Sequence, residues 1–133
     1  MTPELTILGW TLVLAIVQVL LPGLLRTQET GVDYNASARD APSPVPPGVV
    51  TQRLVRAQHN LFETLPLFAA AVLIAHVAGR NGDLTYWGAV LYLAARVVYV
   101  PLYAAGIPVV RSLMWSVGLV GLILILVAIL GPA

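Results

Sequence analysis

The chain contains no cysteine and no lysine. The missing cysteine excludes a disulfide framework, a thiolate zinc site and a cysteine nucleophile. Charge is scarce as well. Only 10% of the 133 residues are charged and 59% are apolar, whereas an average soluble domain is about 25% charged. With so few charges a water-soluble globule could not cover its own surface. The net charge of +1 gives no electrostatic reason to expect a nucleic-acid partner. A glycine-rich phosphate loop, a metal-ligand cluster and a catalytic triad are all absent from the sequence. His59 and His76 are 17 residues apart on one predicted helix, about 25 Å along its axis, too far to share a metal. No metal site is expected.

What the chain has is long hydrophobic runs. A bilayer core about 30 Å thick needs about 20 apolar residues per helical span. Between Glu4 and Arg26 no residue is charged, and only Thr6, Thr11 and Gln18 are strongly polar. No positive residue precedes this run and it exceeds a signal h-region, so a spanning helix is expected rather than a signal peptide. Ser112 to Leu130 is a second uncharged run, closed by Gly131-Pro132. Two less pure runs lie between them, separated by a polar turn at Gly79-Arg-Asn-Gly-Asp83. The prediction is an all-α membrane protein, a four-transmembrane-helix bundle forming a single domain over 1–133. Its helices fall at about 3–25, 50–79, 83–105 and 108–130.

Residues 26–48 read as a loop. They hold Pro42, Pro44, Pro46 and Pro47, which favour extended backbone. Four spans put both termini on one side. The loop side gathers Arg26, Arg39, Arg53, Arg56 and Arg111, against Arg80 alone with the termini. That bias places the loop in the cytoplasm and both termini outside it. The small size and all-arginine usage suggest a bacterial cytoplasmic membrane.

The polar residues inside the spans carry the functional information. A charge at mid-membrane costs about 2.5–3.5 kcal/mol on insertion scales, so such groups face a bundle interior, a partner or a wet cavity. In span two, Arg53, Arg56, Asn60 and Glu63 follow at steps of three, four and three, one helical stripe. Asn60 lies between Arg56 and Glu63, where it can accept from one and donate to the other. In span three, Tyr92, Arg96, Tyr99 and Tyr103 form another stripe, and Arg111, Ser112 and Trp115 occupy the first turns of span four. Chain direction brings all three stripes to the cytoplasmic half of one bundle. Pro66 and Pro101 free backbone carbonyls beside Glu63 and Arg96, where a kink could open a cavity. One reading of the stripes is an ion-pair network that only ties helices together. Several Arg against one Glu leave positive charge over, and a dry structural network should be near neutral. The excess points to an anionic ligand, which the guanidinium fork binds bidentately.

These residues resemble a known family. Arg56-Ala-Gln-His-Asn60-Leu-Phe-Glu63-Thr-Leu-Pro66 is similar to the helix-two signature of the MAPEG family, the membrane-associated proteins in eicosanoid and glutathione metabolism. Arg96 followed by Tyr103, then Pro108-Val-Val-Arg111-Ser112, resemble its helix-three and helix-four signatures. The resemblance implies a homotrimer with glutathione bound between protomers near the cytoplasmic face. It also implies a lipophilic second substrate that arrives from the membrane lipid. By motif, Arg56, Asn60, Glu63, Arg96, Tyr99, Tyr103 and Trp115 would line the glutathione site, with Arg26 contributed by a neighbour. Arg111 and Ser112 would act on the thiol. Two positions depart from members of the family: Tyr99 stands where its prostaglandin E synthase member has His, and Trp115 where several members have Tyr. Trp115 can stack but has no hydroxyl proton to give.

Two functions therefore remain open. One is a glutathione-dependent transferase or peroxidase acting on a lipophilic electrophile or hydroperoxide. The other is a non-catalytic trimeric binding or regulatory protein of the same fold. A small multidrug-type exporter would need a carboxylate in span one, where this chain offers only Gln18.

Overall fold

The computed structural model describes residues 1–43 and 45–132. Four long helices, α1 (Pro3–Thr30), α3 (Val49–Val77), α4 (Asp83–Ala105) and α5 (Pro108–Leu130), make the bundle, and a single-turn helix α2 (Val32–Ala36) sits in the loop. All four long helices are long and apolar enough to cross a membrane, and the chain is a multi-pass integral membrane protein. Large apolar side chains stand exposed on each, among them Trp10, Ile16, Leu67, Trp87, Leu113 and Leu130. In water so much exposed apolar surface would drive association. In a bilayer it is the lipid-facing coat.

Each helix buries one narrow stripe. On α1 it is Glu4, Leu8, Thr11, Ala15, Gln18 and Pro22, alternating steps of four and three that keep one face inward. On α3 it runs from Thr51 through Leu61 and Phe68 to Ala75. α4 and α5 each bury small residues among larger ones: Gly88, Ala89 and Ala95 on one, Gly118 and Gly121 on the other. Lipid tails are as apolar as leucine, so membrane helices gain from close backbone approach, which small residues permit. α4 and α5 accordingly form the most extensive interface. α1 packs on α3 and α4. At the centre the Phe68 and Tyr92 rings stack with centroids 4.0 Å apart, and the Tyr92 hydroxyl bonds the Thr64 hydroxyl at 2.7 Å.

Polar fittings close both ends. At the end that carries the termini, the Thr85 hydroxyl accepts from the Gly82 N–H at 2.8 Å and donates to Glu4 Oε1 at 2.8 Å. This caps α4 and ties it to the buried Glu4 on α1. The Gly79–Gly82 turn forms as the sequence predicts, and Arg80 donates from it to the Gly131 carbonyl at 3.1 Å. At the other end, Glu29 Oε1 accepts from the Gly48 N–H and the Thr51 hydroxyl, at 3.1 and 2.7 Å. Glu29 Oε2 pairs with Arg26 at 3.0 Å.

One boundary needs correction. The first helix was expected to stop near 25 and a loop to fill 26–48; instead α1 continues through Thr30 and α2 follows. Arg26 to Thr30 are polar without being helix breakers. The Thr27 and Thr30 hydroxyls donate back to the Gly23 and Arg26 carbonyls, and Arg26–Glu29 is a favourable i,i+3 pair. The helix ends only at Gly31, whose φ of 90° suits glycine. Of the loop prolines, Pro44 lies outside the described residues. Pro66 and Pro101 sit inside α3 and α4, which run through them without interruption.

Candidate functional site

The polar stripes of α3, α4 and α5 meet at the loop end of the bundle in two tiers. The outer tier surrounds a cavity of about 220 Å³ lined by Arg53, Arg56, Tyr103, Gly106, Pro108 and Arg111. Three helices each contribute a cation or its support. Arg56 Nε donates to the Tyr103 hydroxyl at 3.2 Å. The guanidinium carbons of Arg56 and Arg111 lie 5.8 and 4.8 Å from the Tyr103 ring centroid, within cation–π range. Arg53 donates to the Ala104 carbonyl at 3.2 Å. Every partner that orients these cations is neutral, and no acid lines the cavity.

The inner tier lies about 10 Å deeper, seven residues back along α4. Arg96 is 1% exposed. Its Nη1 donates to Asn60 Oδ1 at 2.7 Å, and its guanidinium carbon sits 4.2 Å from the Tyr99 ring centroid. Its Nε and Nη2 are buried with no partner. Arg96 and Trp115 also border a void of about 10 Å³, room for about one water. The Tyr99 and Tyr103 rings meet edge to face at 5.5 Å and join the tiers.

The remaining predicted residues lie outside these contacts. Glu63 is exposed on α3 and is in no ion pair. The one ion pair among the described residues is Arg26–Glu29, so the arginines of the two tiers are not balanced by protein carboxylates. The anticipated bridge from Arg56 through Asn60 to Glu63 is replaced by a lateral bond, because the Asn60 oxygen is taken by Arg96 on α4. Ser112 donates its hydroxyl proton to the Pro108 carbonyl at 3.1 Å. Arg26 borders a different hollow of about 650 Å³ between α1 and α3, whose wall it shares with Val55, Arg56 and His59. There it is held by Glu29 and by the Val45 carbonyl at 2.6 Å. Arg56 thus faces both hollows.

The family resemblance gave Arg53 and Gly106 no role, yet both line the outer cavity. Arg53 could have been found from its place three residues before Arg56 on the same stripe. Gly106 offered only a glycine at a predicted helix end. Among the described residues no group of three or more His, Asp or Glu side chains could hold a metal ion.

Taken together, three arginines from two helices line an acid-free cavity at the loop end of the bundle, with the buried Arg96 behind it. No curated protein and no solved structure matches the chain. A model of the MAPEG family matches residues 7–131, and the chain belongs to the MAPEG family.

Proposed function

We propose that this protein binds glutathione in the outer cavity and activates its thiol toward a lipophilic electrophile or hydroperoxide. It does so as a homotrimer, with the site at the cytoplasmic face of a bacterial membrane. The observation that carries the reading is the convergence of Arg53, Arg56 and Arg111 on one acid-free cavity. Unpaired charge at such a depth is costly, and a ligand with more carboxylates than ammonium groups relieves it. Glutathione has two carboxylates and one ammonium. When bound it would supply the nucleophilic sulfur.

The chain's own groups have separable tasks. Arg56, fixed by the Tyr103 hydroxyl, presents a guanidinium for a carboxylate. Asn60 has its oxygen committed to Arg96, which leaves its amide N–H groups to donate. Glu63 can accept from the ammonium. Arg111 stabilises the thiolate: a free thiol ionises near pH 8.5, and an adjacent guanidinium lowers that value and raises the nucleophilic fraction at neutral pH. The apolar substrate enters laterally from the lipid.

Titration calorimetry of the detergent-purified protein with glutathione tests the reading. Binding is expected, and Arg111→Ala should weaken it about 10–100-fold, the loss of one charge-assisted contact. No heat with the unaltered protein, or equal heat with the variant, would remove the proposal. The mass of the purified particle should correspond to three chains; a monomer or dimer contradicts the trimer.

One observation favours the non-catalytic reading. Ser112 has spent its proton on the Pro108 carbonyl and Trp115 has no hydroxyl, so Arg111 lacks a nearby helper on α5. Conjugation of glutathione to chlorodinitrobenzene separates the two: binding without turnover identifies a binding module.

A further inference from the structure

We propose that the hollow at the termini end of the bundle seats the headgroup of a phospholipid that carries both a phosphate and a primary ammonium, in the leaflet on that side. None of the residues around this hollow lines either tier of the arginine site, so it stands apart from the glutathione reading.

Between the second and third spans the sequence turns polar for five residues, Gly79 to Asp83, and backbone bonds hold that turn. α3 closes with the Gly79 N–H on the His76 carbonyl at 3.2 Å and the Arg80 N–H on the Ala75 carbonyl at 2.8 Å. This paired closure needs the left-handed conformation that Gly79 adopts, with φ 67°. α4 opens with the Gly82 N–H on the Thr85 hydroxyl, and the Asn81 amide donates to the buried Glu4 at 3.4 Å. The two charged residues of the turn, Arg80 and Asp83, are thereby fixed in place. Both line a hollow of about 720 Å³ between the turn and the end of α5.

These two charges do not neutralise each other. The one ion pair among the described residues is Arg26–Glu29. Arg80 spends one N–H on the Gly131 carbonyl, which leaves four of its five side-chain donors, and Asp83 is exposed. A simple anion would be drawn by Arg80 and repelled by Asp83, and a simple cation the reverse. A phosphate tethered to an ammonium satisfies both: the guanidinium fork takes the phosphate and the carboxylate takes the ammonium.

The rest of the wall is apolar. Leu84, Val127 and Ala128 line it, and Leu84 and Val127 are about half exposed. They lead from the charged rim onto the lipid-facing side of α4 and α5. Trp87, four residues after Asp83 on the same face, is also largely exposed, and such rings mark the headgroup boundary of a bilayer. Opposite charges at the helix ends, continuous with apolar surface below them, fit an amphiphile of the membrane itself.

Native mass spectrometry of the delipidated full chain in detergent tests this, with phosphatidylethanolamine, phosphatidylglycerol or glycerophosphoethanolamine added in turn. Phosphatidylethanolamine should bind one per chain, and about fivefold or more tighter than phosphatidylglycerol, which has the phosphate and no ammonium. Glycerophosphoethanolamine, the same headgroup without tails, should bind about a hundredfold more weakly than the lipid. Asp83→Asn should bring the two lipids within about twofold, and Arg80→Gln should weaken phosphatidylethanolamine about tenfold. Neither should move glutathione affinity. Equal binding of the two lipids by the unaltered protein, or a preference that survives Asp83→Asn, overturns the proposal. So does a headgroup that binds as tightly as the lipid, which would make this a site for a soluble zwitterion. Failure to retain any lipid, as when a second copy covers the hollow, overturns it too. Arg80→Gln also gives up the bond to Gly131; should that variant fail to fold, Asp83→Asn decides alone.

Discussion

Gly88→Ala is expected to drive α4 and α5 apart and to lower stability by about 1–3 kcal/mol, the usual cost of overpacking a tight contact. A Cβ at Gly88 would lie 2.5 Å from the Gly121 carbonyl oxygen and 2.8 Å from Ile125 Cγ1. One at Gly121 would lie 2.5 Å from the Gly88 oxygen and 2.9 Å from the Tyr92 nitrogen. Most of these neighbours are backbone atoms, which cannot swing aside as a side chain would. The gain in helix propensity on replacing glycine, about 0.5–1 kcal/mol, is too small to compensate. Gly121→Ala should behave alike, and the double variant should cost less than the sum, because one separation of the helices relieves both clashes. Gly118→Ala is the internal control. Its Cβ would meet Ala95, Arg96 and Tyr92 at 3.6–3.9 Å, ordinary contact, and should be tolerated. Thermal unfolding in detergent reads all four. If Gly88→Ala melts where the parent does, the crossing is not the tight contact described.

Arg96→Met is expected to make the ligand-free protein more stable and a poorer binder. Arg96 is a buried cation whose Nε and Nη2 have no partner and which makes no ion pair, although Glu63 lies close enough to act on it electrostatically. Replacing buried charge with apolar volume is commonly neutral or stabilising by about 1–4 kcal/mol. For a chain of this size that raises the melting midpoint by roughly 4–14 °C. Methionine is flexible enough to fill the space beside Tyr99. The opposing effect falls on Asn60, whose oxygen loses its donor and whose amide is then free to turn. Glutathione affinity should fall about tenfold. Melting curves with and without glutathione show both signs at once: a higher midpoint alone, and a smaller upward shift with ligand. A variant that melts lower and binds normally would make Arg96 a structural strut and nothing more.

How far the sequence could be read depended on whether a property lies along one helix or between two. The spans were legible because a charge-free run from Leu5 to Leu25 has few fates other than a bilayer. The stripes of α3 and α4 were legible too, since steps of three and four fix a face whatever it meets. Contacts across helices were not. Spacing placed Asn60 between Arg56 and Glu63 on one face, but its oxygen turns sideways to Arg96 on α4. Arg26 carried a charge that read as the end of a span, yet Glu29, one turn on, keeps the helix going. The Gly88–Gly121 crossing had no signal in a chain with 11 glycines, because nothing local says which two will touch. Arg53 lay in plain sight on its stripe, but its approach to Gly106 and the end of α4 could not be read from spacing.

The crossing at Gly88 and Gly121 bears on how the cavity can move. α4 and α5 are pinned there near the termini end and joined again through Gly106 and Ile107 at the loop end, so the pair behaves as a single stiff fork. Tyr103 and Arg111 ride on that fork and keep their spacing. Arg53 and Arg56 ride on α3, which bridges to the fork at this end through three hydrogen bonds: Arg53 to Ala104, Arg56 to Tyr103 and, deeper, Asn60 with Arg96. The cavity therefore has one wall held by α4 and α5 and one carried by α3, so its width follows the lean of α3 against the fork.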